Sequence, residues 1–381
     1  MAAQEILKKD KGWQPIIDYR QYVQGKEGRL EEVREVYGAG LKWSLEYFET
    51  IYKRLGTKFD GYYPESWVGE YGMKLVEKGL KMGVLEKSEG GIIYRGERDG
   101  LHTRVFVNKL GLPTYEAKDL GLAMAKYKDF QYDLSINVFG KEIDEYYKVV
   151  KAAMKKIEPE LGEKAYHIAH GMVRLPEGKM SSRSGNVITF EWLLGEAKKR
   201  VLEIIEKTDR KAENVKNSGE IAEKVALGAV RYALLKNNIG NDIVFDFGKS
   251  VSFEGDSGPY LMYTYARCKS VLRKSKINET MKPFDSAQGR QFNNETMKYN
   301  PEELSLLRLF YRFPEVVSEA AATFSPHLLC AYLFELAQCY SLFYQKHTIL
   351  KSDFRLALTQ TTASLIKRGL FILGIETVEK M

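Results

Sequence analysis

The sequence predicts an α/β domain built on a parallel sheet, followed by an all-α domain that begins near Gly258. Three observations predict it. Between Gly91 and Val173, apolar runs of strand length alternate with stretches of helical period. From Phe190 onward strands become scarce and helical patterns follow one another. The chain has 381 residues, 44% of them hydrophobic and 29% charged, which is enough for two or three packed cores and too apolar for disorder.

Taken in order, residues 1–25 are polar and irregular. Gly28 to Leu55 is helical, in one or two helices broken near Gly38-Ala39-Gly40. Trp43, Leu45, Tyr47, Phe48, Ile51, Tyr52 and Leu55 form its apolar stripe, which reads as a core face. Pro64 opens a helix that runs to about Met82. Gly91–Gly96 and Thr103–Asn108 read as two strands joined by a polar turn at Asp99-Gly100. Gly111-Leu112-Pro113 breaks the pattern, and a helix follows from Tyr115 to about Tyr127. Asp133–Gly140 is a strand ending in glycine, and Glu142–Ile157 is a helix with Tyr146, Val149, Val150 and Met154 on its apolar face. Tyr166–Val173 reads as a short buried strand. Strand, helix, strand in this rhythm is the layout of a parallel sheet, whose ligands sit at the carboxyl ends of the strands. Gly140 and the 174–185 loop both emerge at such ends.

Beyond that point Phe190–Lys207 and Ile221–Lys236 are helices, with a short strand at Ile243-Val244-Phe245. Helices then fill Pro259–Lys274, Pro301–Ala321, Pro326–Lys346 and Ser352–Leu373. The polar stretch 275–299 interrupts them. In it Asn278-Glu279-Thr280-Met281-Lys282 recurs unchanged at Asn294-Glu295-Thr296-Met297-Lys298, the mark of a tolerated flexible insertion. The expected division is 1–185, 186–256 and 257–381.

Composition narrows the function classes. No apolar run has the length of a membrane span, and the N-terminus lacks the apolar core of a signal peptide, so a cytoplasmic setting is expected. A net charge of +7 permits a polyanionic partner without demanding one. Cys268, Cys330 and Cys339 show no Cys-x-x-Cys spacing and read as small buried hydrophobes. Of the histidines, only His167 and His170 are neighbours, with no acidic partner at ligand spacing, so no bound metal is expected.

The chemistry concentrates in His170-Gly171-Met172-Val173-Arg174-Leu175-Pro176-Glu177-Gly178-Lys179-Met180-Ser181-Ser182-Arg183-Ser184-Gly185. Pro176 and Gly178 keep the loop from becoming a helix. Its tip carries an ammonium, two hydroxyls and a guanidinium, groups that stabilise charge on phosphate oxygens. The same composition fits a solvated surface turn. Lys179-Met180-Ser181-Ser182-Arg183 resembles the lysine-methionine-serine-lysine-serine loop of class I aminoacyl-tRNA synthetases, with Arg183 where the second lysine usually stands. With its flanks, the stretch resembles the arginyl-tRNA synthetase version. The resemblance implies that Lys179, Ser181, Ser182 and Arg183 are catalytic, neutralising pyrophosphate as it leaves ATP. It also implies that the backbone near Met172 borders the adenine.

In Pro113-Thr114-Tyr115-Glu116-Ala117-Lys118-Asp119, a helix starting at Tyr115 places Asp119 one turn on, over the same face. A phenol and a carboxylate there can accept a guanidinium, or the acidic residues can simply complement a helix N-terminus. The segment resembles the arginine-recognition stretch of the same family, which implies that Tyr115 and Asp119 hold the substrate side chain. The family's glutamine behind the next strand falls at Ile143, which cannot hydrogen-bond a guanidinium. Glu142 or Asp144 would have to substitute, or affinity would fall. Along Gly258–Arg267, Tyr260, Tyr263 and Arg267 share a face. They can form an aromatic core stripe, or stack on bases and pair with phosphate. This string resembles the opening of the family's anticodon-binding domain. The resemblance carries tRNA contact to Tyr260, Tyr263 and Arg267, and to the final residue, Met381.

The resemblance runs from about Gly38 to Met381, outside 275–299. It implies a partial class I Rossmann-type catalytic domain followed by an all-α anticodon-binding helical bundle. The family's second ATP motif, a histidine-containing string on the first strand-to-helix turn, has no counterpart here. The expectation is the C-terminal part of an arginine–tRNA ligase that uses ATP (as Mg-ATP), L-arginine and tRNA-Arg, with tRNA needed for activation. It would act as a fragment or split subunit with an N-terminal synthetase polypeptide. The alternatives are a catalytically inactive tRNA-binding module, or an incomplete product whose unpaired strand edge prevents stable folding.

Overall fold

A computed structural model of the chain describes residues 27–176, 189–208, 218–275 and 299–380, with the side chains of 27–35 and 207–208 excepted. Lys179, Ser181, Ser182 and Arg183, most of the 275–299 stretch, and Met381 lie outside the described residues. The chain divides into two compact units, 1–168 and 169–381.

The first unit begins with helices α1 (Glu27–Leu55) and α2 (Glu65–Lys81). Strands β1 (Glu86–Ser88), β2 (Gly91–Tyr94) and β3 (Arg104–Val107) then form an antiparallel sheet in the order β1-β2-β3. The β1–β2 hairpin turns on Glu89 and Gly90, both at positive φ (46° and 83°), which matches the right-handed twist of the flanking strands. A bulge between Ile92 and Ile93 shifts the β2–β3 register. Helix α3 (Tyr115–Phe130), strand β4 (Ser135–Gly140), helices α4 (Asp144–Ile157) and α5 (Pro159–Lys164), and strand β5 (Ala165–His170) follow, and β4 pairs with β5.

The core of this unit forms where α2, α3 and α4 meet the three-stranded sheet. Leu75, Val76, Phe106, Leu120, Val149 and Met154 are buried there. Two glycines set the spacing of α2 and α3. A Cβ on Gly72 would lie 2.1 Å from the Ala117 carbonyl oxygen, and one on Gly121 would lie 2.0 Å from that of Val68. Only glycine allows the backbones so close, and this contact fixes where α3 presents its side chains.

Three expectations are corrected here. Helix α1 runs through Gly38 and Gly40 without a break. Its aromatic stripe is not core: Trp43 is 70% exposed, and Leu45, Tyr47 and Phe48 are exposed as well. Helical periodicity reports an apolar face but says nothing of what covers it. The apolar run Tyr166–Val173 is not one buried strand. Tyr166 is 41% exposed, and the run splits into β5 and a second short strand, β6 (Val173–Arg174).

The cause of the split lies at Gly171, where a Cβ would meet the Asn241 carbonyl oxygen at 1.8 Å. In the second unit β6 turns to a new partner and pairs parallel with β7 (Ile243–Val244). Ile243 N–H donates to the Met172 carbonyl at 2.8 Å, and Arg174 reaches Asp242 at 2.6 Å. The other elements among the described residues of this unit are helices: α6 (Phe190–Thr208), α7 (Ser218–Leu235), α8 (Phe247–Ser250), α9 (Gly258–Lys274), α10 (Pro301–Ala322), α11 (Pro326–Lys346) and α12 (Asp353–Ile372).

The helix starts follow from local chemistry. Ser257 caps α9 by accepting from Tyr260 N–H at 3.1 Å, and Pro259 occupies the first turn. Asn300 and Glu303 form a capping box at α10, and Ser352 caps α12. The helices close over Leu261, Met262, Leu306, Leu336, Phe343 and Ile366, all buried. Cys268 and Cys330 are buried and Cys339 half-buried. Burial pushes the Cys268 and Cys330 thiols up to about 12, so both stay protonated and unreactive near neutral pH.

Candidate functional site

Asp119 stands one turn into α3, on the side that faces the core. It lines a small cavity with Leu122, Ala123, Lys126, Tyr132, Ser135, Asn137, Tyr147 and Ala165. The Tyr146 hydroxyl donates to its Oδ2 at 2.5 Å. Burial raises the Asp119 pKa, and the hydrogen bond from Tyr146 opposes that rise. Tyr146 is pushed upward in turn, by burial first and then by the negative charge of Asp119. A partly buried carboxylate with one lone-pair direction already oriented can take a planar cation on the other.

Tyr115 does begin a helix, as expected, but it is 66% exposed, and the Lys118 ammonium lies 5.2 Å from its ring centre. It does not line the cavity; the phenol that meets Asp119 is Tyr146. The remaining polar lining comes from side chains that sequence patterns did not single out. Lys126 Nζ donates to Ser135 Oγ at 2.7 Å and reaches Asn137 Oδ1 at 3.4 Å. Asn137 Nδ2 donates to the Tyr147 hydroxyl at 2.5 Å. Glu116 is buried, with Arg104 4.0 Å away, and the Arg104 guanidinium lies 5.8 Å from the Tyr146 ring.

Glu142, Ile143 and Asp144 do not line this cavity. Asp144 binds Lys148 at 2.8 Å and His167 Nε2 at 2.8 Å, and these partners hold its carboxyl below the usual range, Lys148 chief among them. His167 therefore has an acidic partner far away in sequence, and its ring stacks on Phe139 at 5.6 Å. In the second unit Met172 is exposed. Its N–H donates to Asp242 Oδ1 at 3.0 Å, and its carbonyl accepts from Ile243. The Met172 backbone is thus engaged within the protein, which leaves the side chain and the carbonyl's second lone pair to meet a ligand.

The second site lies among the helices. Tyr260, Tyr263 and Arg267 on α9 line a cavity of about 580 Å³ with Ile204 and Ile205 of α6, Ile221 of α7, Phe253, Glu254, and Ser341 and Gln345 of α11. The three residues that share a face in the sequence are brought together here. Arg267 lies over the rings of Tyr263 (4.7 Å) and Tyr344 (5.3 Å). Phe253 meets Tyr263 edge-on at 6.4 Å, and Tyr260 hydrogen-bonds Ser341 at 3.1 Å. A cavity of this size with aromatic walls and a stacked guanidinium has the chemistry to take an unstacked base and its phosphate.

Comparisons with known proteins match both halves. The family described as tRNA synthetases class I (R), catalytic domain, matches residues 16–247, and the DALR anticodon binding domain matches residues 261–381. The chain belongs to the class I arginyl-tRNA synthetases. A Flavobacterium psychrophilum protein named arginine–tRNA ligase is 32% identical over 376 residues, 96% of this chain and 60% of that one. A Clostridium perfringens protein of the same name is 33% identical over 345 residues, 89% of this chain and 59% of that one. Among solved structures the chain is similar to the Thermus thermophilus arginyl-tRNA synthetase, at 25% identity and a TM-score of 0.78, covering 100% of this chain and 69% of that one. The fold is also that of the Plasmodium falciparum arginyl-tRNA synthetase, at 20% identity and a TM-score of 0.79.

The expected architecture, a class I α/β catalytic part followed by a helical anticodon-binding domain, is borne out. The catalytic match begins at residue 16, ahead of the expected Gly38. The chain spans about 60% of the length of the curated relatives it matches. Among the described residues no helix is long and apolar enough to cross a membrane.

Proposed function

We propose that the chain carries out arginine–tRNA ligation together with the part of the family's length that lies outside it. Arginine attacks the α-phosphate of ATP to give arginyl-adenylate and pyrophosphate, and the 3′-terminal adenosine of tRNA-Arg then takes the arginyl group. Asp119, oriented by Tyr146, receives the guanidinium. Lys179 and Arg183 neutralise the leaving pyrophosphate, with Ser181 and Ser182 as hydrogen-bond donors. Losing one such charged donor costs on the order of 3 kcal/mol in the barrier. Tyr260, Tyr263 and Arg267 take the anticodon loop, with Met381 beside it, and Mg-ATP is the cosubstrate in the cytoplasm.

The observation that carries this reading is the Asp119–Tyr146 pair: a half-buried carboxylate, oriented by a phenol, at a polar cavity of a synthetase-family fold. A second reading, a tRNA-binding module without ligation, is favoured by the size of that cavity, about 10 Å³. The test is transfer of labelled arginine to tRNA by the purified chain, alone and with an N-terminal synthetase polypeptide that carries the histidine-containing ATP motif. Charging only with the added polypeptide supports a split enzyme. Charging by the chain alone would show that the histidine motif is dispensable. Tight tRNA binding with no charging in either case would replace ligation by the binding-module reading.

A further inference from the structure

Lys126 follows Asp119 by two turns of α3, on the same face, and both side chains line one cavity. At about 10 Å³ that cavity has room for about one water molecule and none for a guanidinium group. A cationic side chain already lines it. The Lys126 ammonium is fixed by Ser135 Oγ at 2.7 Å and Asn137 Oδ1 at 3.4 Å, and the Tyr132 ring lies 5.9 Å away. Asn137 is pinned by Tyr147, so one of the two acceptors that hold the lysine is itself held.

Charge points the same way. Burial lowers the Lys126 pKa, and the negative charge of Asp119 works against that shift. Burial raises the Asp119 pKa, and Lys126 is among the groups that oppose it. The two act on each other as opposite charges in a partly dry site, where Glu116 and Glu65 add negative charge around Asp119.

We propose that Lys126 is a resident cation that fills the arginine pocket in the substrate's place, so that arginine binds by displacing it. This rests on the assignment of Asp119 to arginine recognition. The lysine is suited to the role. Its charge sits on a flexible four-carbon stem that can swing to solvent while the stem stays packed, and one ammonium is more easily replaced than a two-pronged guanidinium. The open pocket is then a minor state, and apparent affinity for arginine is reduced by the fraction of molecules in it.

The test is titration of the chain with L-arginine by calorimetry, comparing the parent with Lys126→Met, Ser135→Ala and Asp119→Asn. Lys126→Met keeps the stem and removes the charge, and binding is expected to tighten by about tenfold or more. Ser135→Ala removes the lysine's best anchor without touching its charge and is expected to tighten binding about threefold. Asp119→Asn is expected to abolish binding. Equal or weaker binding by both Lys126→Met and Ser135→Ala, with Asp119→Asn still abolishing it, would overturn the resident-cation role and leave the arginine site intact. No binding by any variant, Lys126→Met included, would overturn both.

Discussion

The guanidinium of Arg267 lies 4.7 Å from the centre of the Tyr263 ring, at the wall of the cavity of about 580 Å³ in the helical unit. Planar stacking is something an ammonium cannot reproduce. Arg267→Lys therefore keeps the charge and loses the stack. The expected result is tRNA binding weakened about fivefold to tenfold, with the slope of log affinity against log salt unchanged, because the number of phosphate contacts is unchanged. Fluorescence anisotropy across a salt series checks this. An unaltered affinity would assign Arg267 to plain charge pairing, which lysine can supply equally well.

Tyr146→Phe removes the hydrogen bond that orients Asp119 and opposes the effect of burial on its pKa. The carboxylate then protonates at higher pH, and the ionised form is the one that takes a guanidinium. Arginine affinity at neutral pH is expected to fall about threefold to tenfold, with the acid limb of its pH profile moved upward. Calorimetric titration over a pH series reads both quantities.

Gly171→Ala places a methyl group against the Asn241 carbonyl, where a Cβ would come to 1.8 Å. The backbone must move, and the β6–β7 pairing with it. A loss on the order of 2–4 kcal/mol in the stability of the second unit is expected, read by urea unfolding. A loss within experimental error would mean that the strand-to-strand contact tolerates a shift of the chain.

Glu302 accepts from Lys346 at 2.6 Å and pairs with His347 at 3.2 Å. The Lys346 contact, then the backbone N–H groups of its own helix start, hold its carboxyl down to about 2, against an ordinary value of 4.5. A pKa depressed in the folded state stabilises the fold above the unfolded value. That contribution is lost as pH falls from 4.5 through about 2. Glu302→Gln is therefore expected to unfold at lower urea than the parent at about pH 6, with the gap closing toward about pH 2. A gap that does not depend on pH would show that the carboxylate's charge is not what matters.

What was legible in the sequence was local. The period of Val149, Val150 and Met154 placed α4 and its buried face, and the spacing of Tyr260, Tyr263 and Arg267 placed three residues at one cavity. Asp119 is singled out by the resemblance of residues 113–119 to the family's arginine-recognition stretch, since its place one turn after a helix start fits a plain N-terminal acid equally well. What was not legible was non-local. Tyr146 reaches Asp119 from a different helix, and Lys126 finds Ser135 and Asn137 across a chain reversal. His167 and Asp144 meet for the same reason, which spacing along the chain cannot reveal. The run Tyr166–Val173 looked like one strand because apolar period carries no record of where a strand changes partner. The stripe on α1 showed an apolar face but not its exposure.

The central claim is that two sites, one in each unit, read two different substrates. Steady-state charging by the complete catalytic assembly, with Asp119→Asn and Arg267→Ala compared with the parent, tests it most directly. The account predicts that Asp119→Asn raises KM for arginine by about tenfold or more and leaves KM for tRNA in place. Arg267→Ala should do the reverse. Variants that both move the same constant, or that change neither, would contradict it.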